Sequence, residues 1–255
     1  MKWLTDWMMR EGPGIPKDAP RPTGLMLLGA TAWREAWELF KLNLIIVLLS
    51  LPVVTAPAAH AAAIRVAAGM LRDENIYLLR DYRAAFRAVF WRATLAGFAA
   101  AAAIGVGLYA VFIWGQLALS SAAYVPALVA CGAATLGAAM VAGQLFVLIG
   151  CSDRPLGELA RLALVATFAR PLPILGGLGF VGALWLVHVA FYPVSVFMPA
   201  AFNFSLGVLG LTFAALPAAE LALAARPAGR AGHPPQQLKG APTRHQQEET
   251  TCTSF

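Results

Sequence analysis

From Ala93 to Ser152 the chain carries no Asp, Glu, Lys or Arg, and the same holds from Pro171 to Ala219. Ala, Leu, Val, Gly and Phe dominate both stretches, and arginines flank them. A helix in water shows solvent a polar stripe, and neither stretch has one. About 20 apolar residues cross a hydrocarbon core about 30 Å thick, so each stretch is long enough for two crossings joined by a tight turn. The pattern predicts an all-α transmembrane bundle with four full spans, roughly 93–115, 125–150, 172–195 and 205–224.

Upstream the pattern is less regular. Trp3, Leu4, Trp7 and Met8 share one face at helical spacing, which predicts a short interfacial helix, with a Pro- and Gly-rich linker reaching Gly24. A helix beginning near Leu25 carries Trp33, Arg34, Glu35, Trp37, Glu38 and Lys41 into the apolar run Leu42 to Val54. Pro52 and Pro57 bracket a break, and Pro57 suits the first turn of a second, small-residue helix that ends at Arg72. About 15 apolar residues there cover only some 22 Å, short for a crossing. We therefore expect a proline-broken hairpin, in over 35–54 and back over 57–72, either crossing or re-entrant. Exposed backbone at such a break is tolerated where helices or water cover it, so the break should sit inside the bundle. Together these make about six membrane-embedded helices. The domain reading is 1–24 interfacial helix and linker, 25–226 transmembrane domain, and 227–255 a disordered tail too poor in apolar residues to order itself.

Charge sets the expected topology. Arg65, Arg72, Arg80, Arg83, Arg87 and Arg92 fall in one connection and Arg154, Arg161 and Arg170 in another, while the connections near 116–124 and 199–205 are uncharged. The positive-inside rule places the arginine loops and both termini in the cytoplasm of a multi-pass plasma-membrane protein. The net charge of +6 thus reads as topology and contact with anionic headgroups, not nucleic acid. Charged residues are 13% of the chain and mean hydropathy is +0.68, as for a chain largely in lipid. Cys131, Cys151 and Cys252 are scattered without metal-ligand spacing. The apolar run at Leu44 to Val54 follows a preceding segment too long for a signal-peptide n-region, so it reads as a retained segment.

One block is distinctive: Leu42-Asn43-Leu44, then Ser50-Leu51-Pro52-Val53-Val54-Thr55-Ala56-Pro57-Ala58-Ala59, then Arg72-Asp73-Glu74, Leu79-Arg80-Asp81-Tyr82-Arg83-Ala84-Ala85-Phe86-Arg87 and Arg92-Ala93-Thr94-Leu95. Over about 40–100 it resembles the YesL family of bacterial integral membrane proteins, a domain of unknown function, with a weaker likeness around Leu156 to Leu175. His60 departs from the small hydroxyl residue that family members tend to show there. The resemblance implies an association with carbohydrate uptake and use, but brings no reaction, substrate or catalytic residue.

Ionisable groups inside spans are costly, which singles out His60, His188 and Glu220. The plainer readings are a His60 imidazole bonded to a carbonyl freed at the break, an interhelical bond for His188, and Glu220 reaching water or an arginine. Asn43, Gln116, Gln144 and Asn203 read as interhelical hydrogen-bonders. From Leu78 to Trp91, Leu79, Tyr82, Phe86, Val89 and Phe90 form an apolar face opposite Arg80, Arg83 and Arg87. This stretch reads as an interfacial helix on anionic lipid, or as a docking helix for a partner such as a transporter subunit. Arg80, Arg83, Arg87 and Arg92 are then the candidate partner or lipid contacts. A similar run, Glu158 to Leu172, faintly echoes Asp81 to Leu95. No phosphate loop, HExxH, nucleophile elbow or CxxC pair occurs, so neither an enzyme nor a cofactor is expected. The expected function is a non-enzymatic accessory component linked to solute uptake, against a small transporter or channel lined by the broken hairpin with His60 and His188 converging on one cavity.

Overall fold

The structure is a computed structural model that describes residues 22–224. The expected N-terminal interfacial helix, most of the expected linker and the expected tail lie outside the described residues. The rest forms eight α-helices: α1 (Leu25–Arg34), α2 (Ala36–Ser50), α3 (Ala56–Arg72), α4 (Leu78–Ser120), α5 (Val125–Cys151), α6 (Leu156–Ala169), α7 (Pro171–Ala190) and α8 (Phe204–Ala224). Among the described residues, five helical segments are long and apolar enough to cross a membrane: Val53–Arg72, Leu78–Ser120, Ala122–Cys151, Pro171–Ala190 and Pro199–Ala224. The fold is an all-α bundle. At 15 residues, about 22 Å long, α2 falls short of such a crossing.

The core is built on α3, whose run from Ala58 through Met70 is buried on almost every side. Alanines let neighbouring backbones approach closely, and in lipid that packing, rather than hydrophobicity, holds helices together. Against it α2 buries Leu39, Leu42, Asn43 and Ile46, the i, i+3, i+4, i+7 stripe of a one-faced helix. From α4 come Leu78, Tyr82, Ala85, Val89, Ala93 and Ala96, ending at Gly97, where the Pro57 ring lies against the helix backbone. Helix α5 buries Met140, Gly143, Gln144 and Val147 through Gly150, and its Gln144 donates to Ala215 O of α8 at 3.2 Å. Beyond Gly97 on α4 and before Met140 on α5, no residue is fully buried. There the two helices meet through contacts such as Thr135 against Gly107 and turn large apolar side chains outward.

Three expectations change. The Pro52–Pro57 break does not sit inside the bundle: Leu51 through Val54 are exposed. Thr55 satisfies part of the break locally, its backbone N–H bonding Pro52 O at 2.9 Å while its hydroxyl reaches the carbonyls of Leu49 and Pro52, and the exposed N–H groups of Val53 and Val54 are left to the surroundings. The amphipathic stretch 78–91 is not a separate helix. It is the start of the uninterrupted 43-residue α4, about 64 Å long, so its arginines are carried rigidly by the helix that continues into the span. Its core stripe runs through Leu78 and not Leu79, which is 73% exposed. Third, the span expected to reach residue 195 ends at Ala190, and residues 191–197 form turns around Pro193, which has no N–H to continue a helix.

Candidate functional site

Nearly all the described charges collect at one end of the bundle, where the helix ends are tied by arginines. Arg34, closing α1, donates to Met70 O at 3.2 Å and pairs with Asp73 at 3.0 Å, so the broken hairpin enters and leaves on the same side. Asp73 ends α3 in the left-handed region (φ 63), which lets Glu74 N–H turn back to Gly69 O. Arg72 grips Glu220 of α8 with two nitrogens, at 2.8 and 3.1 Å. Arg154 joins Glu158 at 2.7 Å and Leu223 O at 2.9 Å.

Asp153 is the hub between α3, α4 and α5. It accepts from Arg65 at 3.0 Å and from Arg92 at 2.9 Å. Arg65 also donates to Gly150 O, and Arg92 to Ser152 O and Arg154 O, so backbone carbonyls at the end of α5 are satisfied by the same two side chains. The hydrogen bond from Arg65, then that from Arg92, hold the Asp153 carboxyl below the usual carboxylate range. A lowered folded value means its contribution to stability is complete above the unfolded value of about 3.9 and is lost as pH falls through the folded one. The stability difference between wild type and Asp153→Asn should therefore be flat through neutral pH and shrink only below about pH 4, measured by denaturant titration in detergent. Its size will be modest, because the carboxylate is 73% exposed and screened by solvent.

The candidate contact arginines divide on this geometry. Arg92, expected as a partner or lipid contact, is turned inward and consumed by Asp153 and two carbonyls. Arg80 pairs with its neighbour Asp81 at 2.8 Å and lies over the Tyr77 ring. Arg83 and Arg87 are exposed and, among the described residues, make no ion pair. At 100° per residue, positions 80, 83 and 87 form one stripe opposite the buried stripe of α4. Beside Arg80 a cleft of about 660 Å³ opens between α2 and the start of α4, edged by Glu38, Lys41, Ile45, Tyr77 and Leu79. It offers both charge signs and an apolar wall. Among the described residues no group of three or more His, Cys, Asp or Glu could hold a metal ion.

The intramembrane candidates are placed apart. His60 Nδ1 lies 2.9 Å from Ala56 O, the carbonyl at the start of α3. His188 bonds Ser195 beyond the end of α7. Between the two imidazoles stand the rings of Phe204 and Trp185, each at edge-to-face distance from its neighbour. Glu220 belongs to the charged end, on Arg72. Asn43, on the buried face of α2, reaches the start of α8: its amide nitrogen donates to Pro199 O at 2.9 Å and Ala200 O at 2.6 Å, and its oxygen accepts Ser205 N–H at 3.0 Å. Asp153 was not singled out by sequence reasoning, although a lone acid beside Arg154 at the end of an uncharged run was the available signal.

These features define a helical integral membrane protein with its charge network at one end. Residues 32–111 match the family described as "Protein of unknown function, DUF624", a segment running from α1 past the arginine stripe into the apolar part of α4. No curated protein matches the chain, and no solved structure does.

Proposed function

We propose that this protein is a non-enzymatic accessory component of the bacterial plasma membrane that binds a transporter subunit or other membrane partner through the Arg83–Arg87 face of α4, in support of carbohydrate or other solute uptake. The observation that carries the reading is the division of the arginines. Arg34, Arg65, Arg72, Arg92 and Arg154 hold the protein's own helix ends together, whereas Arg83, Arg87, Arg161 and Arg170 make no internal pair among the described residues, and of these Arg83 and Arg87 share one stripe of a rigid helix. Guanidinium groups so presented suit the carboxylates of a partner loop. The positive-inside rule favours a cytoplasmic location for this end and for both termini, and phospholipid headgroups lie near its base. The residues that resemble the YesL family overlap the matched segment, and the link to carbohydrate uptake rests on that resemblance.

The alternative, a small transporter or channel along the broken hairpin, requires His60 and His188 on one cavity, and two aromatic rings separate them. To test the lead reading, Arg83→Glu and Arg87→Glu are combined and solute uptake is measured in cells at matched protein levels. Uptake should fall by about tenfold, as expected from losing two interfacial charge pairs. Uptake unchanged across sugars and other solutes, with the variant folded and abundant, would remove the arginine face from the account.

A further inference from the structure

The uncharged end of the bundle carries a surface unlike an aqueous loop. Between α7 and α8, Phe191, Tyr192, Val194 and Phe197 are 64, 66, 88 and 78% exposed, and Val196 is nearly half exposed. No charged residue lies anywhere from Pro171 to Ala219. In water so contiguous an apolar patch would be an association liability. In lipid the requirement is different: irregular backbone needs partners for its polar groups from the protein or from interfacial water.

The connection supplies most of these partners itself. Phe191 and Tyr192 N–H return to Val187 O and Val189 O, Ser195 N–H bonds Phe191 O, Val196 N–H bonds Pro193 O, and Met198 N–H bonds Ser195 O. Pro193 has no N–H to satisfy. The Ser195 side chain, buried although its neighbours are exposed, donates to His188 O at 2.7 Å. His188 Nδ1 lies 3.0 Å from Ser195 O and 3.1 Å from its hydroxyl, and its ring meets Trp185 and Tyr192 edge to face. Most of the segment's N–H groups are thus paired internally and its large apolar side chains turn outward, while the N–H groups of Val194 and Phe197 make no internal hydrogen bond.

We infer that residues 191–198 are immersed in the bilayer leaflet at the uncharged end, with Tyr192, Val194 and Phe197 against lipid, and that His188 is the positioning residue that holds this segment in its self-bonded form. The inference does not depend on the proposed function, which concerns the opposite end. Aromatic side chains are favoured at that depth, and the absence of charge removes the main cost of entering it.

The test uses the full chain with its cysteines replaced by alanine, in phosphatidylcholine nanodiscs, carrying a nitroxide on Val194→Cys or Phe197→Cys. The reference is Gly157→Cys, at an exposed position with open space around it beside Glu158 at the charged end. Collision with a polar nickel chelate should be about tenfold lower at 194 and 197 than at 157, with collision with oxygen higher, because a polar complex is excluded from hydrocarbon and oxygen is not. Chelate access equal to that at 157 places the segment in water and overturns the inference. Low access to both reagents means that protein covers it, such as a second copy, and overturns it equally. His188→Ala should loosen the label at 194, and His188→Gln, which keeps a donor for Ser195 O, should restore much of the order. Unchanged mobility in His188→Ala refutes the positioning role.

Discussion

Gly97→Ala should destabilise the protein by about 3 kcal/mol or prevent its folding, although alanine is the better helix former by up to about 1 kcal/mol. The reason is local. A Cβ at Gly97 would overlap the Cβ and Cγ of Pro57, with Phe146 behind at 3.4 Å. Pro57 is a stiff ring in the first turn of α3, so it has no rotamer to retreat into. Either the broken hairpin or α4 must move, and both belong to the buried core around the α3 alanines. Gly105 supplies the contrast on the same helix, with nothing near its built Cβ. Gly105→Ala should stabilise by about 0.5–1 kcal/mol. Pairing Gly97→Ala with Pro57→Gly, which removes both overlapping carbons, should recover part of the loss, and denaturant titration in mixed micelles measures the coupling.

Asn43→Leu should have the second large effect, a loss of about 3 kcal/mol, since each buried group left unpaired costs about 1–3 kcal/mol. One amide serves two carbonyls and an N–H at the entrance to α8, where the chain makes a π-type turn over Pro199–Asn203. Typical interhelical hydrogen bonds in membranes contribute only about 0.6 kcal/mol, because the freed groups find other partners. Here the groups released are backbone, and Asn43 itself is fully buried. The larger figure should therefore hold. Asn43→Asp should be no milder, because a carboxylate cannot donate to Pro199 O and Ala200 O. Thermal aggregation of both variants in detergent, compared with Asn43→Gln, reads the order of these losses.

The bundle was legible because lipid imposes a plain rule: uncharged stretches of about 20 residues become helices. Spans near 125–150 and 205–224 agree with α5 and α8, and Pro57 does sit in the first turn of α3. Depth and burial were less legible. The break at Pro52–Val54 was expected inside because its backbone needed partners, and Thr55 supplied them for the carbonyls of Leu49 and Pro52 from within three to six residues along the chain. The helical face of α4 was misjudged by one position at Leu79, since alanines at 85, 93 and 96 carry the buried stripe and a composition-wide excess of alanine hides it. At the charged end, position alone identified arginines but could not divide them. Which ones meet Asp153, Glu220 or a carbonyl depends on contacts over 36 to 148 residues in sequence, and no local pattern encodes those.

The most direct measurement places a photo-crosslinking amino acid at Arg83, at Arg87 and, separately, at Arg92 in the full chain in native membranes, with products identified by mass spectrometry. Intermolecular products are expected from 83 and 87, dominated by a solute-transport subunit and abolished when the neighbouring arginine is reversed to glutamate. From 92 the expected products are intramolecular, to the segment 152–154. Intermolecular crosslinks from 92 as strong as those from 83, or none from 83 and 87 in cells taking up solute, would contradict the division of the arginines on which the function rests.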